Sequence, residues 1–432
     1  MMESKRTALG AFVVSTLLTI LMSFYYFPVG LRGILPESIN TKQVIGALGA
    51  LFFVLRCIRD RSIRLPRYIM LAFLLAAVFS LWCFLCCVYN NTSDYAYASY
   101  IMSFLIWTFG AFAVCEIIKY AYGRVDLPLV TKYLALACVA QCVIVLLVDN
   151  IPAVRDFVNA RFIQDTRPIE VERLYGIGCS LDSGGVRMCT ALVLIAHQLA
   201  RNVSVTSSKR SMTTYIVAFL VISLVGNMVA RTTTVGMAFG LGYIAVTIWA
   251  AKNATLSARQ LQFRTIFLLL LLAGVVAAIS LYNNNPEMRK QFRFAFEVFF
   301  NFVEKGEIRT ASSDVLMERM WVWPRTGEEW MFGTGLFEWG WFYGLGMQTD
   351  IGYCRFSLYC GLPGLVLFAL YFIYNASVVG KKFKDAGLLA LILCSLTFII
   401  WLKVSTDIFQ LYALLFCCAA EWKSGEEKEA VQ

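Results

Sequence analysis

Residues 68–93 read YIMLAFLLAAVFSLWCFLCCVYNNTS, with no charged side chain between Arg67 and Asp94. A helix crosses the roughly 30 Å of bilayer hydrocarbon in about 20 mainly apolar residues, and this run is long enough. Uncharged stretches of adequate length recur at 7–31, 95–115, 211–230, 232–251, 265–286 and 356–380. Shorter apolar runs lie at 43–55, 133–148, 188–200, 386–402 and 408–420. The whole chain agrees: of 432 residues, 59% are hydrophobic and only 15% charged, with a mean hydropathy of +0.67. Soluble globular chains run near 45–50% apolar and about 25% charged. This composition excludes a soluble enzyme, a disordered chain and a nucleic-acid binder. The expected fold is all-α: a polytopic integral membrane protein, one membrane domain over residues 1–432.

Length leaves the shorter runs undecided, and charge decides them. The net charge of +10 comes from 38 Lys and Arg against 28 Asp and Glu. With twelve spans and an inner N-terminus, the basic residues collect in short inner segments. These hold Lys5 and Arg6; Arg56, Arg59, Arg61, Arg64 and Arg67; Lys119, Arg124 and Lys132; and Arg201, Lys209 and Arg210. Further along they hold Lys252, Arg259 and Arg264; Lys381, Lys382 and Lys384; and Lys423 and Lys428. The short outer loops are nearly free of Lys and Arg, as the positive-inside rule requires. Dropping any weak span inverts every later loop and destroys the pattern. Both termini are therefore expected in the cytoplasm, with 421–432 as a cytoplasmic tail. Lys5 and Arg6 precede an apolar run as in a signal peptide, but no clear small-residue cleavage site follows. There is no internal repeat of the kind that builds two-halved transporters.

Parity puts the two long hydrophilic segments, 149–183 and 283–352, outside. The outer basic residues are mostly Arg, whose planar fork suits bidentate phosphate or carboxylate binding better than Lys does. Ordinary solvated charges paired with Asp165, Glu170, Glu172, Glu304 or Glu307 remain the alternative. The spacing predicts a helix over 291–303, with Phe292, Phe296, Phe299, Phe300 and Val303 on one face and Arg293, Glu297 and Asn301 on the other. Such a helix lies in the outer interface or packs on the bundle. Residues 317–346 are dense in Trp and Gly, and Trp321, Trp323 and Trp339 are candidates for stacking on sugar rings; interfacial anchoring is their other reading. The single histidine, His197, is expected to be a packed, hydrogen-bonded residue near the inner end of the sixth span. Gly236-x3-Gly240 reads as a helix-packing motif. Most of the 14 cysteines sit in apolar runs, where a thiol is a small hydrophobe. No Cys/His spacing implies a metal or a disulfide framework.

The order of these features resembles the bacterial O-antigen polymerase family, particularly the forms that build capsules and surface polysaccharides. An outer Arg precedes a Gly turn and a span (Arg173-Leu-Tyr-Gly176), and a second opens a later span (Asn227-Met-Val-Ala-Arg231-Thr-Thr-Thr234). The long loop then carries Glu318-Arg319-Met-Trp321, Phe332-Gly-Thr-Gly-Leu336 and Thr349-Asp-Ile-Gly-Tyr353, and runs into Gly361-Leu-Pro-Gly364. The likeness covers nearly the whole chain in topology, but is motif-like only over about 173–231 and 310–365.

The resemblance implies a glycosyltransferase of the bacterial inner membrane acting at its periplasmic face. A glycan on undecaprenyl diphosphate would be moved onto a lipid-linked repeat unit, with the bilayer and possible chain-length regulators as partners. A diphosphate leaving group needs fixed positive charge, which assigns Arg173, Arg231 and Arg319. An acceptor hydroxyl needs a base, for which Asp350 and Glu318 are the candidates. No metal or other cofactor is implied. An O-antigen ligase shares the architecture, but that family carries a histidine in its large periplasmic loop, and 283–352 has none. A lipid-linked oligosaccharide flippase or other transporter is the second alternative; ionisable groups deep in the spans would be expected of it, and the long spans are almost charge-free.

Overall fold

The computed structural model describes residues 2–61, 65–163, 173–250, 258–307, 309–337 and 349–419. In chain order the main elements are α1 (Met2–Tyr26), β1 (Gly30–Leu31), α2 (Thr41–Asp60), α3 (Arg67–Tyr89), α4 (Tyr100–Tyr122), α5 (Leu127–Asn150), α6 (Pro152–Arg161) and β2 (Phe162–Ile163). There follow α7 (Leu181–Arg201), α8 (Val203–Ser207), α9 (Lys209–Val229), α10 (Thr233–Ala250), α11 (Ala258–Asn284), α12 (Pro286–Ala295) and α13 (Glu297–Lys305). The chain continues through α14 (Ala311–Arg319), α15 (Gly327–Phe332), α16 (Gly352–Lys382), α17 (Gly387–Trp401) and α18 (Phe409–Ala419). Among the described residues six helices, α2, α3, α4, α5, α9 and α16, are long and apolar enough to cross a membrane. Shorter apolar helices occupy the other sequence runs, at Gly10–Tyr26, Thr233–Thr247, Leu272–Asn284, Gly387–Trp401 and Phe409–Ala419. The run at 188–200 falls within α7.

Two compact units divide the chain: Met1–Ile45 with Ala113–Phe300, and Gly46–Phe112 with Asn301–Gln432. In the first, α7 packs against α10, α9 and α5, and α1 packs on α5. The Gly236-x3-Gly240 motif explains how α10 comes so near: a Cβ at Gly236 would lie 2.4 Å from the Cys189 Cα of α7. One at Gly240 would lie 2.7 Å from the Phe219 ring of α9. Small residues let helix backbones approach closely where lipid offers no hydrophobic drive to associate. His197 of α7 is buried and its Nδ1 hydrogen-bonds with the Tyr243 hydroxyl of α10 at 2.9 Å. It is a packed residue, as its place in the sequence suggests.

The second unit is organised on aromatic rings. Phe368 stacks on Phe79 at 4.3 Å and on Trp401 at 5.4 Å, with Phe356 edge-on to Trp401 at 4.8 Å. These rings tie α3, α16 and α17 together. α16 itself is broken at Cys360 and Gly361, where Gly361 has φ +68°. Pro363 has no N–H to give the Tyr359 carbonyl, so the break frees acceptors that other groups must satisfy. The Gly335 amide reaches the Tyr359 carbonyl at 3.0 Å, the Thr334 amide reaches Leu358 at 2.6 Å, and the Trp82 indole reaches Cys360 at 2.8 Å. The motifs Phe332-Gly-Thr-Gly-Leu336 and Gly361-Leu-Pro-Gly364 are thus two halves of one contact.

The helix expected over 291–303 is interrupted. Phe296 adopts φ −116° and ψ 32° and closes α12, and α13 starts again at Glu297. Phe292 is buried, whereas Phe299 and Val303 are exposed, so the aromatic face does not act as one surface. The segment 149–183 also holds more structure than a loop: α6 follows α5 directly, β2 pairs with β1, and α7 begins at Leu181.

Candidate functional site

The first unit gathers charged side chains where α7, α9 and α10 meet α12 and α13. The groundwork is the loop Gly176–Ser180. Gln141, buried in the middle of α5, accepts from the Ile177 amide at 3.1 Å and donates to the Ile177 carbonyl at 2.9 Å. Gly178, at φ +66°, presses so closely on the end of α1 that a Cβ would lie 2.6 Å from the Phe27 carbonyl oxygen. The chain leaving Arg173 is therefore held at both polar atoms of Ile177 and cannot drift. Cys179 is buried within it, and burial pushes its thiol up to about 12, so it stays an uncharged packing group at neutral pH.

The Asn227–Thr234 stretch is a corner whose hydroxyls and amide are all committed. Asn227 donates to the Ser223 carbonyl at 2.7 Å and accepts from the Thr234 hydroxyl at 2.6 Å. Thr233 donates to the Gly226 carbonyl at 3.0 Å, and Thr232 donates to Asp182 Oδ1 in the first turn of α7 at 2.6 Å. Arg231 projects from this fixed corner.

Its guanidinium lies 4.7 Å from the centre of the Phe294 ring, and that of Arg173 lies 5.0 Å from the same centre. Two cations on one ring are favourable partners of the ring and unfavourable neighbours of each other. Glu297, at the start of α13, forms an ion pair with Arg231, whose side chain is only 15% exposed. Burial and the Arg173 charge both push the Arg231 guanidinium below its ordinary value, and Asp182 pulls it back up. Arg remains protonated at any physiological pH. The cluster therefore combines two fixed cations with two carboxylates, Asp182 and Glu297. An incoming phosphate can take Glu297's place, and a carboxylate beside it can accept a proton.

Of the three arginines the sequence reading assigns to a diphosphate, Arg173 and Arg231 lie over one ring. The other candidates belong to the second unit. Glu318 and Arg319 end α14 and are exposed. Asp350 is exposed and ion-paired with Arg355 at 3.4 Å. Arg355 also donates to the Thr349 carbonyl at 2.9 Å and lies 4.5 Å from the centre of the Phe337 ring. The Thr349 hydroxyl donates to the Met320 carbonyl at 2.5 Å, so the segments carrying Glu318, Arg319 and Asp350 adjoin. Trp323 sits between Trp321, at 5.8 Å, and Trp330, with which it stacks at 5.9 Å. Trp339 lies outside the described residues.

Sequence reasoning missed Asp182, Phe294 and Arg355. Asp182 falls in the segment 149–183 read as loop, although a carboxylate one residue inside a helix start is a recognisable favourable placement. Phe294 falls on neither face of the amphipathic pattern and left no signal. No known protein family matches the chain, and no curated protein matches it.

Proposed function

We propose that the protein is a surface-polysaccharide polymerase of the bacterial inner membrane, a twelve-span chain with both long loops in the periplasm. It would transfer a glycan from undecaprenyl diphosphate to the end of a lipid-linked repeat unit. The observation that carries this reading is the Arg173–Arg231 pair on Phe294, fixed on a helix bundle. In the reaction the acceptor hydroxyl oxygen attacks the anomeric carbon and the bond from that carbon to the diphosphate breaks. The diphosphate leaves with the bonding electrons, and the hydroxyl proton passes to a carboxylate. Charge grows on the diphosphate as the bond breaks, and preorganised cations stabilise that growth without having to reorient. Arg319, with Asp350 and Glu318 as bases, keeps the role the resemblance gives it. Asp182 adds a carboxylate beside Arg231.

The test is genetic. Deleting the gene should leave surface glycan with a single repeat, because joining to the final acceptor is a separate step. Losing one charge-assisted contact of about 2–3 kcal/mol slows transfer by about 30- to 150-fold, so Arg173→Lys and Arg231→Lys should each shorten the glycan. Full-length glycan stranded on undecaprenyl diphosphate in the deletion strain would instead identify a ligase. Unchanged chain lengths in both Lys variants, at normal expression, would remove the arginines from the chemistry.

A further inference from the structure

The second unit contains a cleft of about 840 Å³ between the α3–α4 loop and the 326–336 segment. Its size lies high in the roughly 300–1,000 Å³ range of small-molecule sites, which is room for several linked sugar rings. Its walls are held rigidly. Asn90 donates to the Gly333 carbonyl at 3.2 Å, Thr92 to the Gly335 carbonyl at 2.9 Å, and the Phe337 amide to the Asp94 carboxylate at 2.7 Å. Three rungs therefore fasten one wall to the other.

The polar side chains of the lining are uncharged or acidic. Asn91, Ser93, Asp94, Glu328 and Glu329 contribute amide, hydroxyl and carboxylate groups, and among the described residues no Lys or Arg lines the cleft. Asn91, Ser93 and Glu328 are exposed. Tyr89 forms part of the wall, half exposed, at the end of a stack in which Phe332 lies 4.4 Å from Tyr89 and 5.8 Å from Trp82. An immobilised aromatic ring beside carboxylates and amides suits a ligand with apolar C–H faces and many hydroxyls. Carboxylates in the lining repel phosphate and other anions.

We propose that this cleft binds a non-anionic glycan, a neutral or amino-bearing oligosaccharide of several rings. That the ligand is a glycan rests on the function proposed above; that it carries no negative charge rests on the lining alone. Asp94 and Glu328 accept hydroxyl or ammonium donors, Asn91 and Ser93 bridge to others, and Tyr89 meets a ring face.

The experiment uses the full-length protein in detergent and two probes: inorganic pyrophosphate, and oligosaccharide released by mild acid from the host's lipid-linked fraction. Binding is read from tryptophan fluorescence. The released oligosaccharide should bind, and Ser93→Phe, which crowds the cleft, and Glu328→Gln, which removes a carboxylate, should each weaken it at least tenfold. Both positions are exposed, so folding is spared, and an unchanged thermal midpoint checks this. Arg173→Lys should leave oligosaccharide binding within twofold while weakening pyrophosphate. The proposal is overturned if the oligosaccharide does not bind, or binds the cleft variants as well as the wild type. Failure of the polymerase reading registers separately, as pyrophosphate binding indifferent to Arg173 or glycan length indifferent to gene deletion.

Discussion

Arg231 has a carboxylate, a second guanidinium and a phenyl ring as neighbours. Each neighbour does a different job. Phe294 excludes water without competing for the charge, Arg173 raises the local positive potential, and Glu297 neutralises Arg231 while no anion is bound. On the proposed function, a phosphate would have to displace Glu297 before engaging Arg231, and that competition would cost affinity. Glu297→Gln keeps the shape and removes the competitor. Inorganic pyrophosphate should bind this variant roughly tenfold more tightly, a change of about 1.4 kcal/mol. Weaker binding in calorimetric titration would mean that Glu297 holds Arg231 in its binding position instead of blocking it. Of these groups only the arginines were legible in the sequence, because an outer Arg at a span mouth stands out against apolar neighbours. Phe294 is one of 33 phenylalanines, and only the fold singles it out.

At the scale of elements, glycine sets the geometry at two places for different reasons. Gly361 sits in the left-handed region, and a Cβ there would lie 2.2 Å from the Met331 carbonyl oxygen. Gly361→Ala therefore incurs about 1–2 kcal/mol of backbone strain and also pushes α15 away from the break in α16. Gly236→Val meets the Cys189 backbone and forces α10 off α7, at about 1–3 kcal/mol or more. Both should lower the thermal midpoint in detergent. Gly242→Ala on the same helix, where nothing lies within 4 Å, should not. Equal midpoints for all three would mean that the close approaches relax at little cost. Helix existence was readable from apolar runs, whereas the interruption at Phe296 was not. The residues 291–303 keep helical spacing throughout, and the turn at Phe296 shows only in backbone geometry.

Over the whole molecule, segments expected on the same side of the membrane touch within each unit. In the first, β1 pairs with β2, and the Arg32 amide donates to the Arg161 carbonyl at 2.8 Å. At the opposite ends of these helices the Tyr215 hydroxyl donates to the Pro128 carbonyl at 3.3 Å. In the second, the loop 90–94 meets 333–337, while Tyr68 donates to the Phe416 carbonyl at 3.1 Å and lies under Lys382 at 4.7 Å. Alkaline phosphatase fused after Asn285 should accordingly be active, and a fusion after Lys384 inactive. The reverse pattern would put the arginines on the face away from a periplasmic substrate.

The helical membrane character of this protein follows from sequence alone, because the cost of burying charge and unpaired backbone in hydrocarbon acts on every span independently. The expected sidedness of its loops rests on the same kind of local sum, taken over Lys and Arg. Neither needs a partner residue to be known. The pairing of Arg173 with Arg231 over Phe294, the docking of 333–337 on the broken α16, and the cleft beside Tyr89 needed the tertiary structure. Each depends on contacts between residues tens to hundreds of positions apart, and nothing in the local spacing of either partner records the other.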